Sequence, residues 1–134
     1  MKKRRKNIML HLHESLHTLI RYHLKFKVKV PFRWETFLNY NVYQLARRLK
    51  QTWQPGMSWQ NMGRIKYKGT NKKLWQIDHI KCRSEFSFSH YTDPAFQELY
   101  KLDNIQALWE KENKQKASLS PEEWEIKKKK LNIK

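Results

Sequence analysis

Ile8, Leu12, Leu16, Leu19, Ile20 and Leu24 recur at steps of three and four residues, so residues 7–24 are expected to form an amphipathic helix. From Lys25 to Val30 cationic and apolar side chains alternate strictly, which predicts a strand with one apolar face, ended by Pro31. Its lysines would protect an edge and face a nucleic-acid backbone. Asn41 caps a second expected helix through Val42, Leu45, Ala46, Leu49 and Trp53, stopped by Pro55-Gly56. Ser58 opens a short turn over residues 59–62 that closes at Gly63. Residues 64–73 carry Arg64, Lys66, Lys68, Lys72 and Lys73 around Gly69, the pattern of a basic loop.

Two short apolar runs, residues 74–77 and 105–109, read as strands, and the polar stretch 110–118 reads as a helix, which together make a β-β-α unit. Between the strands Asp93 is placed to cap a short helix that begins at Pro94 and reaches about Tyr100. Ser120-Pro121-Glu122-Glu123 forms a capping box for a last helix towards Leu131, with Lys127 to Lys130 at the end where cations complement the helix dipole.

Composition sharpens this pattern. The 134 residues suffice for one modest domain with appended arms, and 39% hydrophobic content with six Trp supplies its core. Lys and Arg number 29 against 12 Asp and Glu, a net charge of +17 that calls for a polyanionic partner. Nucleic acid is the expected one, since Lys and Arg on phosphates release condensed counterions. No apolar run approaches the roughly 18 residues of a membrane helix, so no membrane partner is expected. Cys82 stands alone, which excludes an intrachain disulfide and a Cys-ligated zinc knuckle and points to a reducing interior, a cytoplasm or an organelle matrix. The basic opening is interrupted by His11, His13 and Glu14, so it reads as a phosphate-gripping arm rather than a secretory signal.

Inside the first helix, His13-Glu14-Ser15-Leu16-His17 matches HExxH, the arrangement that puts two imidazoles and a glutamate at a zinc ion. Zinc proteases that draw a third histidine from further along turn the chain at a glycine, and here that position is Ile20. A continuing helix carries His23 about 9 Å past His17 along its axis. These histidines are therefore expected on a helix face near phosphate or solvent. A protein substrate would not call for so basic a chain.

The central stretch offers a different chemistry. Phosphodiester hydrolysis needs a nucleophilic water, a divalent ion against the phosphate charge, and fixed positions for both. Asp78 supplies a hard oxygen suited to Mg²⁺, and Asn113, one turn into the following helix, supplies an amide oxygen. The neighbouring His79 is expected to take the proton from water. Asn104, opening the second strand, is placed to bond the loop backbone and hold His79 in position.

The blocks Trp75-Gln76-Ile77-Asp78-His79-Ile80, Leu102-Asp103-Asn104-Ile105-Gln106-Ala107-Leu108-Trp109 and Lys111-Glu112-Asn113-Lys114 closely resemble the HNH endonuclease motif, in the variant whose last position is Asn. The lead-in Gln54 to Gly63 resembles that of phage and intron-borne HNH proteins, and after Asp-His-Ile this chain departs from many relatives in having Lys81 and Cys82. The resemblance implies an α+β protein with a small ββα-metal core and flanking helices, extended by basic N- and C-terminal segments. The expected divisions are residues 1–40 as arm, helix and strand, 41–118 as nuclease domain with its core at 74–118, and 119–134 as a Lys-rich helix. It implies Asp78 and Asn113 as ligands of Mg²⁺ or another divalent ion such as Mn²⁺, His79 as general base and Asn104 as the structural asparagine.

The substrate implied is DNA, nicked or cut in both strands, with RNA the other nucleic acid considered. Phosphate contacts are expected from Lys2, Lys3, Arg4, Arg5, Arg47, Arg48, Arg64, Lys66, Lys68, Lys72, Lys73, Lys114 and Lys116. A second reading keeps the fold and charge without cleavage, as a nucleic-acid-binding component of a nucleoprotein assembly such as an organellar ribosome.

Overall fold

The computed structural model describes residues 2–63 and 73–133, and the side chains from Ile8 onward. It combines helices with one two-stranded antiparallel sheet. In chain order these are α1 (Lys2–His23), α2 (Val42–Gln51), β1 (Trp75–His79), α3 (Pro94–Leu99), β2 (Ile105–Trp109), α4 (Glu110–Lys116) and α5 (Pro121–Lys130), with short 3-10 turns between them.

α1 begins earlier than its apolar pattern and buries Leu12, Leu16 and Ile20. Its end decides the next segment. Lys25 N donates to the Tyr22 carbonyl and Phe26 N to that of Arg21, each at 2.9 Å, and both residues have φ of 57°. This is a Schellman cap with a lysine in the left-handed position that usually takes glycine. The strand expected over residues 25–30 is therefore absent: its first two residues turn back on the helix instead of extending. The Arg21 guanidinium lies 5.3 Å from the Phe26 ring, in place of the apolar contact that commonly closes such a cap. The alternation is used differently, with Val30 buried and Val28 packed against the core while no strand among the described residues pairs with them.

Asn41 caps α2 as expected: its Oδ1 accepts Gln44 N at 2.9 Å, and its own N–H donates to Gln44 Oε1 at 2.8 Å. β1 and β2 pair in register from Trp75 opposite Trp109 to His79 opposite Ile105. Both outer edges of this hairpin are occupied, as so small a sheet requires. On the β1 side Gly63 N donates to the Trp75 carbonyl at 2.7 Å, and Met62 forms a parallel bridge with Trp75. Gly63 permits this approach, because a Cβ there would stand 3.1 Å from Leu74 Cβ. On the β2 side Arg48 Nε donates to the Ile105 carbonyl at 2.9 Å, and Thr52 Oγ1 accepts Ala107 N at 2.8 Å.

The lead-in to Gly63 packs its aromatic residues on the hairpin. Trp53, Trp59 and Trp75 have ring centroids 4.9 to 6.0 Å apart, and Trp75 Nε1 donates to the Ser58 carbonyl. One apolar cluster joins α1, α2, the hairpin and α3 through residues such as Leu16, Trp34, Leu45, Trp75, Phe96 and Ile105. Asp93 sits at the N-terminal boundary of α3 but caps nothing there; its carboxylate accepts the Ser89 and His90 amides of the preceding loop. α5 starts on the expected capping box, with Ser120 Oγ accepting Glu123 N, and buries Trp124. Among the described residues no helix is long and apolar enough to cross a membrane.

α4 ends at Ala117, whose φ of 45° and ψ of −124° belong to glycine rather than to a residue with a Cβ. Ala117→Gly should therefore stabilise the protein by about 1 kcal/mol, less whatever glycine adds to unfolded-chain entropy. Urea unfolding of the two proteins measures the difference, and a loss of stability would contradict strain at this position.

Candidate active site

The period of the strand separates the expected site residues. Gln76 and Asp78 point to one face of β1, and Trp75, Ile77 and His79 to the other. α4 lies over the first face and meets it with side chains one turn apart. Asn113 Nδ2 donates to Gln76 Oε1 at 3.0 Å. Lys116 Nζ stands 3.0 Å from Asp78 Oδ2 and 3.3 Å from Oδ1, and donates to the His79 carbonyl oxygen at 2.6 Å. Gln106, paired with Asp78 across the hairpin, donates to the same carboxylate at 2.9 Å.

Asp78 is 8% exposed and Lys116 1%. Burial lifts the Asp78 carboxyl above its ordinary value, outweighing the Lys116 charge and the hydrogen bonds from Gln106 and Lys116 that pull it down.

As bonded here, Asp78 and Asn113 do not form the expected two-ligand Mg²⁺ site. The Asp78 oxygens face an ammonium, and the Asn113 amide is turned to Gln76. The two helix residues also border different spaces. Asn113 lines a groove of about 590 Å³ with Gln76, Glu14 and Tyr22, whereas Lys116 lines a cavity of about 170 Å³ on the α5 side. Among the described residues no three His, Cys, Asp or Glu side chains gather to hold a metal.

His79 lies on the opposite face and is enclosed. It is 5% exposed, with its ring 4.6 Å from that of Tyr100 and 5.3 Å from that of His23, both edge-on. Its Nε2 has no hydrogen-bond partner among the described residues. Burial, then the His23 and Lys116 charges, hold its imidazole well below 6.5 and so neutral. His23 Nδ1 lies 2.6 Å from Tyr100 Oη, and Tyr40 Oη donates to the Tyr100 carbonyl at 2.7 Å. The last turn of α1 thus roofs the residue expected to take the proton from water.

Asn104 ties the loop after β1 to the start of β2. Its Oδ1 accepts Lys81 N at 2.8 Å, its Nδ2 donates to the Lys81 and Leu99 carbonyls, and its own carbonyl accepts Ile80 N. The position of His79 is fixed through backbone, with no side-chain bond from Asn104 to the imidazole.

The expected phosphate contacts divide. Arg47 and Lys114 are exposed, and Lys73 is exposed with its ammonium 4.3 Å from the Trp109 ring. Arg48 spends its guanidinium on the Ile105 and Asp103 carbonyls, so it serves the β2 edge. Lys116 has no surface to offer a phosphate, because its ammonium is taken by Asp78 and His79. Lys2, Lys3, Arg4 and Arg5 fall in the first turns of α1, where side chains lie outside the described part, and Arg64, Lys66, Lys68 and Lys72 lie outside the described residues altogether.

The HExxH residues also part. His13 bonds Glu35 and stacks on Trp34, His17 Nε2 donates to the Val30 carbonyl at 3.2 Å, and Glu14 is exposed. Gln106, His23 and Tyr100 were not assigned to the site from sequence, and Lys116 was expected on phosphate rather than beside Asp78. Only Lys116 carried a signal: it follows Asn113 by three and so shares its face of α4.

No family model matches the chain, and neither does any curated protein or solved structure with which it was compared.

Removing the Asn104 amide with Asn104→Ala strands the Lys81 and Leu99 backbone groups, and should cost about 2–3 kcal/mol. Chemical denaturation measures this, and a change below about 0.5 kcal/mol would show that the loop does not depend on it. Burial, then the Arg83 guanidinium, lowers His23 from 6.5 to about 4. With the folded value below the unfolded one, the unfolded chain takes the proton first, so this contribution is whole above pH 6.5 and declines as pH falls to about 4. At about 1.4 kcal/mol per pH unit the loss is up to about 3 kcal/mol. Urea midpoints across this range should fall less steeply for His23→Phe than for the wild type.

Proposed function

We propose that the chain is an HNH-type endonuclease hydrolysing phosphodiester bonds in nucleic acid, DNA in the first place. The observation that carries this reading is the order of the parts on the hairpin and helix. Asp78 and His79 close β1, Asn104 knots the connection, and Asn113 stands on the helix that directly follows β2. The net charge of +17 supports the nucleic-acid substrate.

In this reading His79 removes the proton from the attacking water. A neutral imidazole whose Nε2 has no partner among the described residues is in the protonation state for that task. Reaching water requires His23 and Tyr100 to move off the ring. Mg²⁺ or Mn²⁺ belongs to the reading by resemblance, and the present bonding of Asp78 does not accommodate it.

A second reading is favoured by the Asp78–Lys116 pair and the enclosure of His79. Both are what a non-cleaving, nucleic-acid-binding component of a nucleoprotein assembly would show.

Incubating supercoiled plasmid with Mg²⁺, Mn²⁺ or EDTA separates the two. Metal-dependent nicking by the wild type is expected, reduced at least ~10²-fold in His79→Ala with DNA affinity nearly unchanged. Salt-sensitive binding without cleavage under every ion would establish the second reading in its place.

A further inference from the structure

The Lys116 ammonium does more than neutralise Asp78. Three oxygens converge on it: both carboxylate oxygens of Asp78, at 3.0 and 3.3 Å, and the His79 carbonyl oxygen at 2.6 Å. Two carboxylate oxygens and a backbone carbonyl are hard donors of the kind that Mg²⁺ and Mn²⁺ take. The side chain is 1% exposed, so the charge at this point is fixed by packing rather than drawn from solvent. Beside Lys116 lies the cavity of about 170 Å³ between the hairpin and α5, whose lining includes the carboxylates of Glu112 and Glu125. Those acceptors are engaged by Gln54 and Lys128 respectively, which leaves lone pairs for a further donor.

We propose that Lys116 is an internal stand-in for a divalent cation, its ammonium filling an oxygen-lined cation site made by the Asp78 carboxylate and the His79 carbonyl. A metal ion enters only as the ammonium withdraws into the adjoining cavity. This rests on the reading of Asp78 as a cation ligand, but it assigns the ion's second protein oxygen to the His79 backbone rather than to Asn113. Cation and ammonium then exclude one another at this point.

The test is Mn²⁺ binding, followed by calorimetry and by thermal unfolding, in the wild type and in Lys116→Met. Methionine keeps an unbranched stem as far as Cε, one atom short of lysine, and removes the charge. Lys116→Met is expected to be less stable without metal, to regain stability when Mn²⁺ is added, and to bind Mn²⁺ on the order of tenfold to a hundredfold more tightly than the wild type, the range usual for coupled sites. The double variant Asp78→Asn/Lys116→Met should lose the Mn²⁺ response. A lysine with a merely structural role would lower stability in Lys116→Met with no gain from Mn²⁺, and that result overturns the proposal, as does equal affinity in the two proteins.

Should Lys116→Met not fold in metal-free buffer, refolding it and Lys116→Gln with Mn²⁺ decides the matter. Recovery of folded protein supports the stand-in, and failure of both with and without the ion overturns it. Plasmid cleavage by the wild type is a separate readout. A Mn²⁺ response in Lys116→Met from a chain that cuts nothing would retain the cation site and remove the endonuclease reading.

Discussion

A hairpin of five residues per strand cannot stand alone in water, and most of this protein serves to cover it. Each outer edge exposes backbone donors and acceptors that must be met. The β1 edge is met by backbone, at Met62 and Gly63, and the β2 edge by side chains of α2 and of the residue that ends it, Arg48 and Thr52. α4 covers one face. The other, with Trp75 and His79, is covered by the tryptophan lead-in and the end of α1. Arg48 shows how far this demand reaches, since a cation on a helix of a very basic protein is spent on two carbonyls.

The same demand organises the histidines of α1. His13, His17 and His23 lie along one helix but serve three neighbours: Glu35 in the turn after the first loop, the Val30 carbonyl, and Tyr100 beside the hairpin. Each replaces a contact that a chain with little regular structure over residues 24–40 cannot supply by pairing. α1 is thereby fastened at its middle to the loop it precedes and at its end to the aromatic residues around His79. The resulting His23–Tyr100–His79 arrangement joins the first helix to the end of β1.

Two opposite environments meet at the Asp78-His79 dipeptide. On the α4 face a carboxylate, an ammonium and a glutamine amide satisfy one another in a nearly dry setting. On the α1 face an imidazole is neutral and has an unpartnered nitrogen among the described residues. Burying an ion pair is favourable only when its remaining hydrogen bonds are met. Lys116 meets that condition by adding the His79 carbonyl to its two contacts with Asp78. One lysine thus holds the carboxylate and the backbone of the next residue, which fixes the end of β1 against the helix that follows β2.

Local chemistry determined much of this in the sequence. Asn41 and Ser120 fix helix starts through their own side chains, the apolar period of α1 fixes its buried face, and the two apolar runs fix the strands that frame Asp78, His79 and Asn104. These features depend on residues within a few positions of each other, so a linear pattern reports them. Partner choice across the chain is decided only in three dimensions. The alternation at residues 25–30 gave a strand's pattern to a segment that has no free edge to join and begins with a left-handed cap. Lys116 reads as one more surface cation until α4 is laid on β1, and His79 reads as open until α1 arrives from more than fifty residues away. A side chain's charge and shape are written in the sequence, but whether it meets water, a phosphate or another side chain depends on the packing of distant elements.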